Sequence, residues 1–284
     1  MKLIPKQAFF YWGGSVLPYL RYMGLLSFRK LNPDWNMVLY VPKVLTTTQS
    51  WATFENKEGL DTEDYMDRLK DLGIHVAPFD MEAIGFSNDL PEVIKSDIIR
   101  LYLLSTVGGL WSDSDIIYFR PLRAVLRDTN HTAYFCFRRG GPTQDPTPAN
   151  GPPYHSIGFL AGAPGNRHYS KLFELAANNI NLTQYQSVGS PFYKSVIDME
   201  APDVFNLDIR TVYPTRAALV IFTEPAGRFM NEVIQPDVIG IHWYAGAPEA
   251  GKAQNFITEK TYRNHDNIVC HLLRHINDGE SLGR

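Results

Sequence analysis

Residues 96–119 of the chain, SDIIRLYLLSTVGGLWSDSDIIYF, decide the fold. Their first part continues a helical pattern that runs over residues 89–107, with Pro91 near its start and Gly108-Gly109 after its end, as helices commonly begin and end. Leu110-Trp111 then leads into Asp113-Ser114-Asp115, and residues 116–119 resume a strand. A helix followed at once by a short apolar strand is typical of one unit in an α/β sheet.

Upstream of this stretch, strand and helix patterns alternate. Residues 7–12, 36–41 and 74–77 are strand-like, and residues 18–30 and 62–72 have helical spacing. The resulting β-α-β-α-β-α-β order predicts a Rossmann-like, mostly parallel sheet flanked by helices. Ligands in such sheets bind beyond the carboxyl ends of the strands, which is where Trp12, Gly13, Asp113 and Asp115 fall.

Downstream of Pro121 the alternation loosens. The pattern predicts a Gly- and Pro-rich loop over residues 138–153, strands over 157–161 and 238–243, and helices over 169–177 and 266–276. Because no composition shift divides the chain, we predict a single α/β domain over residues 1–284. It has a regular first half, 1–122, and an elaborated C-terminal half, 123–284, with a closing helix.

Composition excludes several classes of protein. The 284 residues are 44% hydrophobic, enough for a large core, and the net charge of −3 comes without a concentrated basic patch, which argues against nucleic-acid binding. Cys136 and Cys270 have no metal-ligand spacing and are expected to be reduced and buried. The chain shows neither the apolar core of a signal peptide nor a membrane span of ~20 apolar residues, so we expect a soluble, cytoplasmic protein.

Asp113-Ser114-Asp115 is the first candidate site. Two carboxylates two residues apart on an extended chain project to the same side and can reach one hard cation. An oxygen-rich site of this kind suits Mn²⁺ or Mg²⁺. Taken alone, the same pattern is also compatible with a solvated turn.

Asp97 and Arg100 form the second candidate site. They are three residues apart on the predicted helix and therefore share one face of it. An exposed ion pair is the simple alternative, and it would stabilise the helix by only a few tenths of a kcal/mol. The surrounding leucines indicate a largely buried helix, and a buried Asp/Arg pair is better explained by a polar ligand such as a cluster of sugar hydroxyls.

Together these motifs carry a family resemblance. Lys95-Ser96-Asp97-Ile98-Ile99-Arg100 followed by Gly108-Gly109-Leu110-Trp111-Ser112-Asp113-Ser114-Asp115 resembles the glycosyltransferases whose sugar-binding region contains a DXD motif. That family includes yeast-type initiating α-1,6-mannosyltransferases, α-1,4-galactosyltransferases, capsular polysaccharide transferases and the glucosylating domain of large clostridial toxins. Ile4-Pro5-Lys6 and Tyr11-Trp12-Gly13-Gly14 also resemble the family's opening. The resemblance implies a GT-A fold with a nucleotide-sugar-binding half, 1–122, and an acceptor-side half, 123–284.

The resemblance also implies roles for the residues that bind the donor. Trp12 would stack on the nucleotide base, and Gly13 and Gly14 would let the backbone approach it. Asp97 and Arg100 would bind hydroxyl groups of the donor sugar.

The remaining implied roles concern the metal and the diphosphate. Asp115 would ligate the metal directly, and Asp113 would contact the sugar or ribose and reach the metal through water; Ser114 between them is counted with the donor site. Together with Asp97 and Arg100, these two aspartates form the predicted catalytic set. Trp111 stands where many relatives have Tyr, which keeps an aromatic wall but leaves a phenol hydrogen bond in question.

Ile239-Gly240-Ile241-His242-Trp243 is the third candidate site. A histidine after an apolar strand is commonly structural, but relatives place a histidine-containing segment, often with a nearby tryptophan, against the diphosphate and metal. We therefore expect His242 to contact the metal or phosphate and Trp243 to contribute to donor binding. His155 and Ser156, after the Pro-rich loop, are expected to border the acceptor cleft.

The implied function is a metal-dependent, retaining transfer of a hexose from a nucleoside-diphosphate sugar to a glycan or another hydroxyl acceptor, as in polysaccharide biosynthesis. The Trp-Gly-Gly opening favours a UDP-sugar, and Mn²⁺ or Mg²⁺ is the expected cofactor. Because no motif marks a carboxylate nucleophile, we favour front-face transfer over double displacement. The expected partners are the nucleotide sugar and a carbohydrate or glycoconjugate acceptor, with neither a nucleic acid nor a membrane span.

Three alternatives stay open from the sequence. The first is a GDP-mannose-dependent mannosyltransferase of the same fold. The second is a toxin-like glycosyltransferase that modifies a protein. The third is a relative that binds a nucleotide sugar without turning it over.

Overall fold

The computed structural model describes residues 3–46, 63–126, 130–138, 154–214 and 218–282. The Gly- and Pro-rich loop that the sequence predicts over residues 138–153 lies outside the described residues, apart from Arg138. Within the described ranges, no helix is both long and apolar enough to cross a membrane. Cys136 and Cys270 are free and buried, as the sequence predicts.

The first half forms the predicted alternation of strands and helices. It comprises β1 (Gln7–Tyr11), α1 (Tyr19–Leu31), β2 (Asn36–Pro42), β3 (His75–Phe79), α2 (Glu92–Thr106) and β4 (Gly109–Ser112). These strands run parallel in the order β3-β2-β1-β4. The direction of the strand order reverses between β1 and β4, and the crevice at such a switch point is where open α/β sheets bind ligands.

One predicted element is wrong in kind. The helix expected over residues 62–72 is a 3-10 helix over Met66–Leu72, and residue 62 lies outside the described residues. Only Leu69 is buried along it, so it lacks the apolar stripe that stabilises an α-helix against a core. The predicted stop is right, because Gly73 ends the helix with φ of 62°.

The second half completes the sheet with three more strands, one of which is reversed. These are β6 (Ala133–Arg138), β7 (Tyr154–Gly162) and β8 (Val204–Asp208), and they extend the sheet to the order β3-β2-β1-β4-β7-β6-β8. β7 runs antiparallel to both β4 and β6, whereas β6 and β8 are parallel. The mostly parallel sheet flanked by helices is therefore confirmed, with β7 as its reversed strand.

A separate two-stranded sheet joins distant parts of the chain. β5 (Ile116–Tyr118) pairs antiparallel with β9 (Gly240–His242), so that Ile116 lies opposite His242. The sequence predicts both strands but not this pairing. Its consequence is that His242 lies beside the chain segment that carries Asp113 and Asp115.

The remaining helices cover the sheet and the C-terminal half. They are α3 (Arg167–Ala176), α4 (Ser190–Val196), α5 (Ala218–Thr223), α6 (Ala226–Val233), α7 (Pro248–Phe256) and α8 (Ile268–Asp278). Side chains alternate across the sheet, so that Phe10 and Leu110 join one buried cluster and Phe9 and Trp111 join the other. Two cores on opposite faces thus hold the central strands β1 and β4 in place.

Gly108 and Gly109 set the register of β4. Both have positive φ, 69° and 122°, a backbone conformation that L side chains rarely adopt. A Cβ on Gly109 would also lie 2.4 Å from the carbonyl oxygen of Gln7 in β1. The glycine pair therefore permits an abrupt turn from α2 into β4 directly against β1, which fixes where β4 ends and where Asp113 stands.

Candidate active site

Two adjoining cavities lie at the carboxyl ends of β1 and β4. The first, of about 100 Å³, is bounded by Trp12 and Gly13 after β1 and by Asp113 after β4. The second, of about 330 Å³, continues toward His242 and Tyr213. The two share five lining residues: Asp113, Asp115, Ile157, Tyr185 and Gln186. We call the first the donor cavity, after the donor site that the family resemblance implies, and the second the distal cavity.

Asp97 and Arg100 form a buried pair at the wall of the donor cavity. Arg100 Nη2 lies 2.9 Å from Asp97 Oδ1 and 3.8 Å from Asp113 Oδ1. The guanidinium also donates to the carbonyl oxygen of Ile157 in β7 and to Ser96 Oγ. Burial lowers the pKa of Arg100, but the two aspartates raise it above its ordinary value, so the guanidinium stays charged. The pair that the sequence singles out is thus a fixed polar wall.

Asp113 is held by its own strand and by the next one. Its backbone N–H donates to the carbonyl oxygen of Gly158, and its Oδ1 accepts a hydrogen bond of 2.9 Å from Trp111 Nε1. Trp111 is almost completely buried, and the Arg100 guanidinium carbon lies 4.9 Å from the centroid of its ring. The indole of Trp111 therefore packs against Asp113 and orients it. It also supplies a hydrogen bond at the position where many relatives have a tyrosine.

Asp115 and His242 meet across the β5/β9 pair. Asp115 Oδ1 lies 3.2 Å from His242 Nε2, and Asp115 Oδ2 accepts from the backbone N–H of Ala245 at 3.0 Å. Burial raises the pKa of Asp115, but His242, Arg21 and the Ala245 amide outweigh it and hold the pKa below its ordinary range. The carboxylate is therefore ionised at neutral pH and available to a cation.

The arrangement fits a divalent metal ion. One ligand atom each of Asp113, Asp115 and His242 can be chosen so that all three lie within 4.8 Å of one another. Two carboxylates and an imidazole beside a cavity leave positions for water and phosphate oxygens, as Mn²⁺ and Mg²⁺ require. His242 Nδ1 accepts from the backbone N–H of Tyr244, which leaves the ring proton on Nε2. Nε2, which faces Asp115 Oδ1, is therefore the ring nitrogen that would hold the ion.

The N-terminal candidate residues are packed tightly within the protein. Trp12 is 4% exposed; its Nε1 donates to the carbonyl oxygen of Val16, and Arg21 lies over its ring. A Cβ on Gly13 would lie 2.6 Å from Glu92 Oε2, and one on Gly14 would lie 2.3 Å from the Trp12 ring. Both glycines therefore allow close packing of side chains within the protein, and Trp12 and Gly13 line the cavity.

Five candidate site residues lie outside the surfaces of both cavities: Gly14, Trp111, His155, Ser156 and Trp243. Trp111 and Trp243 are 1% and 0% exposed. Trp243 therefore has no surface to offer a ligand in this arrangement, although its backbone N–H donates to the carbonyl oxygen of Asp115. His155 and Ser156 are likewise buried and line neither cavity. Ser114 is buried but lines the donor cavity and accepts from Arg21.

Among the cavity-lining residues that sequence reasoning missed are Arg21, Tyr213 and Glu92. Arg21 reaches Ser114 from α1, and Tyr213 stacks on His242 with ring centroids 4.7 Å apart. Glu92 lines the donor cavity, where Tyr11 donates to it and Lys95 lies 2.7 Å away. The i, i+3 spacing of Glu92 and Lys95 repeats that of Asp97 and Arg100, and this signal was readable in the sequence. Arg21 and Tyr213 carry no such signal.

Comparison with known proteins gives one family match. Residues 81–178 match the family model described as "Capsular polysaccharide synthesis protein". The matched segment includes α2, β4 and Asp113-Ser114-Asp115, and it confirms the resemblance to capsular polysaccharide transferases that the motifs predict. No curated protein sequence matches the chain.

Three glycosyltransferases are among the solved structures to which the chain is similar. PaToxG glycosyltransferase is 15% identical, with 70% of each chain covered and a TM-score of 0.48. The glycosyltransferase GlyE of Streptococcus pneumoniae TIGR4 is 10% identical over 98% of this chain, with a TM-score of 0.47, and this chain spans 61% of GlyE's length. Mouse xyloside xylosyltransferase 1 is 10% identical, with 85% of this chain and 98% of that chain covered and a TM-score of 0.47.

Proposed function

We propose that the chain is a metal-dependent glycosyltransferase that moves a hexose from a nucleoside-diphosphate sugar to a hydroxyl acceptor, with retention at the anomeric carbon. One observation carries the proposal. Asp113, Asp115 and His242 come together beside the Asp97–Arg100 pair, at the switch point between β1 and β4. The family match over residues 81–178 supports a role in polysaccharide biosynthesis.

Each cluster has its own task in this reaction. Asp115, Asp113 and His242 would hold a Mn²⁺ or Mg²⁺ ion, which when bound neutralises the charge that grows on the diphosphate. Asp97 and Arg100, fixed by their mutual ion pair, would bind hydroxyl groups of the donor sugar. Asp97, Arg100, Asp113 and Asp115 all line the donor cavity, and His242 lines the adjoining distal cavity. The sugar and the diphosphate would therefore lie next to each other, as the donor requires.

The chemical step exchanges one bond for another. The bond between the anomeric carbon and the diphosphate oxygen breaks, and its electron pair leaves with the diphosphate. The acceptor's hydroxyl oxygen forms the new bond to the anomeric carbon on the same face, and its proton passes to a diphosphate oxygen. Asp97 is engaged by Arg100 at 2.9 Å, which favours a role in holding hydroxyls over that of a covalent nucleophile.

The distal cavity suits a carbohydrate acceptor. Its lining includes four aromatic side chains: Tyr154, Tyr185, Tyr213 and Tyr244. Tyrosine combines an apolar ring face with a hydroxyl, and such amphipathic rings fit the apolar face and hydroxyl rim of a sugar. The cavity meets the donor cavity at Asp113 and Asp115, so an acceptor bound there would reach the anomeric carbon.

The first test is isothermal titration of UDP and GDP, each with and without Mn²⁺, into the wild type and Asp115→Asn. We expect Mn²⁺-dependent binding of UDP in preference to GDP, and its loss in the variant. Tighter binding of GDP would replace the UDP assignment and keep the transferase. If neither nucleotide binds under any condition, the proposed function is wrong.

The stereochemical outcome has a separate test. In the absence of an acceptor, slow metal-dependent hydrolysis of the donor sugar would use water as the hydroxyl. Proton NMR of the first hexose released, recorded before mutarotation, distinguishes the two anomers by their coupling constants. Release of the anomer opposite to that of the donor would rule out retention.

A further inference from the structure

Arg21 is positioned by close packing of α1 against the aspartate motif. Arg21, Gly24 and Ser27 are spaced three residues apart and share one face of the helix. A Cβ on Gly24 would lie 2.4 Å from the carbonyl oxygen of Ser114, and Ser27 Oγ accepts from the backbone N–H of Tyr118. One turn earlier on this face, Arg21 Nη1 donates to Ser114 Oγ at 2.7 Å. Helix α1 thus places the Arg21 guanidinium against Ser114, the residue between the two aspartates.

The guanidinium is buried between two indole rings. Its carbon lies 4.2 Å from the ring centroid of Trp12 and 5.6 Å from that of Trp243, and Arg21 is only 5% exposed. Its Nε is buried and has no hydrogen-bond partner among the described residues. Burying a charge is costly unless it is paired and hydrogen-bonded, so a cation held in this way indicates an anionic ligand.

The cationic side chains that line or adjoin the donor cavity differ in how they are paired. Arg100 is paired with Asp97, and Lys95 is paired with Glu92. Arg21 lines the same cavity but forms no ion pair with a carboxylate among the described residues. The charges of Asp113 and Asp115 would be balanced by the divalent ion. One cation beside the proposed metal site is therefore left for a ligand's charge.

We propose that Arg21 binds the diphosphate of the nucleotide-sugar donor and stabilises it as the leaving group, as a second cation beside the metal ion. The inference rests on the proposed function, because it takes the donor's diphosphate as the ligand. Charge-assisted hydrogen bonds from a guanidinium to phosphate oxygens are among the stronger polar contacts in proteins. Trp12 and Trp243 hold the guanidinium in place before the donor binds, which gives the buried Trp243 an indirect role.

The test uses pyrophosphate, which carries the charge of the leaving group without a base or a sugar. Titrations of Mn²⁺ alone, and of pyrophosphate in saturating Mn²⁺, are compared for the wild type and Arg21→Gln, which keeps hydrogen-bond donors but loses the charge. We expect the variant to bind pyrophosphate about ten- to a hundredfold more weakly. It should bind Mn²⁺ alone at least as tightly as the wild type, because a repelling charge is gone. General damage to the site would weaken both.

Two further variants separate the charge of Arg21 from its contact with Ser114. Arg21→Lys keeps the charge but cannot bind in a bidentate manner, so we expect it to bind pyrophosphate several-fold more weakly and Mn²⁺ normally; it decides the question if Arg21→Gln does not fold. Ser114→Ala removes the hydroxyl that Arg21 contacts and leaves the charge. If Ser114→Ala reproduces the whole loss, Arg21 acts through Ser114 and the inference is wrong.

Two other outcomes distinguish the failure of this inference from the failure of the proposed function. If Arg21→Gln binds pyrophosphate as the wild type does, the inference fails and the proposed function stands. If the wild type itself binds no pyrophosphate in the presence of Mn²⁺, the diphosphate site is absent and both proposals fail.

Discussion

Oδ1 of Asp115 lies 3.2 Å from Nε2 of His242, although the two residues come from opposite halves of the chain. The contact depends on the pairing of β5 with β9, which sets Ile116 opposite His242. It depends also on the turn after β9, whose Ala245 amide donates to the second oxygen of Asp115. The C-terminal half therefore completes a cluster that the aspartates begin, and both halves of the chain would contribute to the metal site.

The role of His242 can be tested through metal affinity. We expect His242→Ala to weaken Mn²⁺ binding by at least about tenfold, because one of three protein ligands is removed. Titration of Mn²⁺ into the folded protein gives the dissociation constant directly. His75→Ala, which removes an exposed histidine from β3, is the matched control and should leave the constant unchanged. Unchanged affinity in His242→Ala would exclude the histidine from the site.

Trp111 is expected to act as a positioning residue. Trp111→Phe keeps the ring but removes the N–H that donates to Asp113 Oδ1. A hydrogen bond to a charged group contributes about 1.5–3 kcal/mol, so we expect kcat for metal-dependent donor hydrolysis to fall about tenfold or more, with KM little changed. A loss confined to stability, with kcat intact, would contradict this. Trp35→Phe, in the core away from both cavities, controls for the loss of an indole.

The position of the aspartate motif could be predicted because it depends on local patterns. The Gly-Gly stop after α2, the short apolar strand and the parallel order place Asp113 at a strand end without knowledge of distant contacts. Asp97 and Arg100 follow from helical spacing alone. The three proposed metal ligands could not all be identified from local sequence patterns. The β5/β9 pairing joins strands far apart in sequence, and only the family resemblance pointed to His242.

Residues that act through packing could not be read from the sequence. Arg21 looks like any other arginine on an amphipathic helix, and its place is visible only once Gly24 has brought α1 against Ser114. Trp243 reads as a candidate ligand because it follows His242, but the strand's alternation turns it into the core. The 3-10 helix over Met66–Leu72 was mistaken for an α-helix because the helical pattern of residues 62–72 does not reveal that only Leu69 is buried.

His155 gives the fold a defined sensitivity to acid. It is 2% exposed, stacks on Phe137 and has no partner for Nδ1 within the part of the chain that the structure describes. Burial, and to a smaller extent the charge of Lys194, lowers its pKa from 6.5 to about 4. Below about pH 6.5 the imidazole is therefore protonated in the unfolded chain, whereas in the folded chain it stays neutral down to about pH 4. Since stability rises with pH wherever the unfolded state holds more protons, the folded state should lose stability as the pH falls from 6.5 to 4.

The measurement is urea unfolding of the wild type and His155→Gln between pH 7 and pH 4. At 1.36 kcal/mol per pKa unit, the stability of the wild type relative to the variant should fall by at most about 3 kcal/mol across this range. His75→Gln removes an exposed imidazole and reports the effect of a surface substitution. A constant difference between wild type and His155→Gln at every pH would show that the imidazole is accessible to protons in the folded state.

Gly158 packs closely against two side chains of the site, Asp113 and Tyr213. A Cβ at this position would lie 2.5 Å from both Asp113 Oδ2 and Tyr213 Oη, where the two cavities meet. In Gly158→Ala, the side chains of Asp113 and Tyr213 must move to make room for the added Cβ. Displacing a carboxylate of the proposed metal site lowers activity steeply, because catalytic geometry tolerates little displacement. We expect Mn²⁺ affinity and the rate of donor hydrolysis each to fall about tenfold or more.

The matched control for this substitution is Gly227→Ala in α6, where an added Cβ would meet no described atom within 4 Å. That variant should keep wild-type Mn²⁺ affinity and gain up to about 1 kcal/mol of stability, since alanine is the better helix former. If Gly158→Ala also keeps wild-type metal affinity and hydrolysis, Asp113 does not need its observed position. The metal would then have to be held by Asp115 and His242 without it.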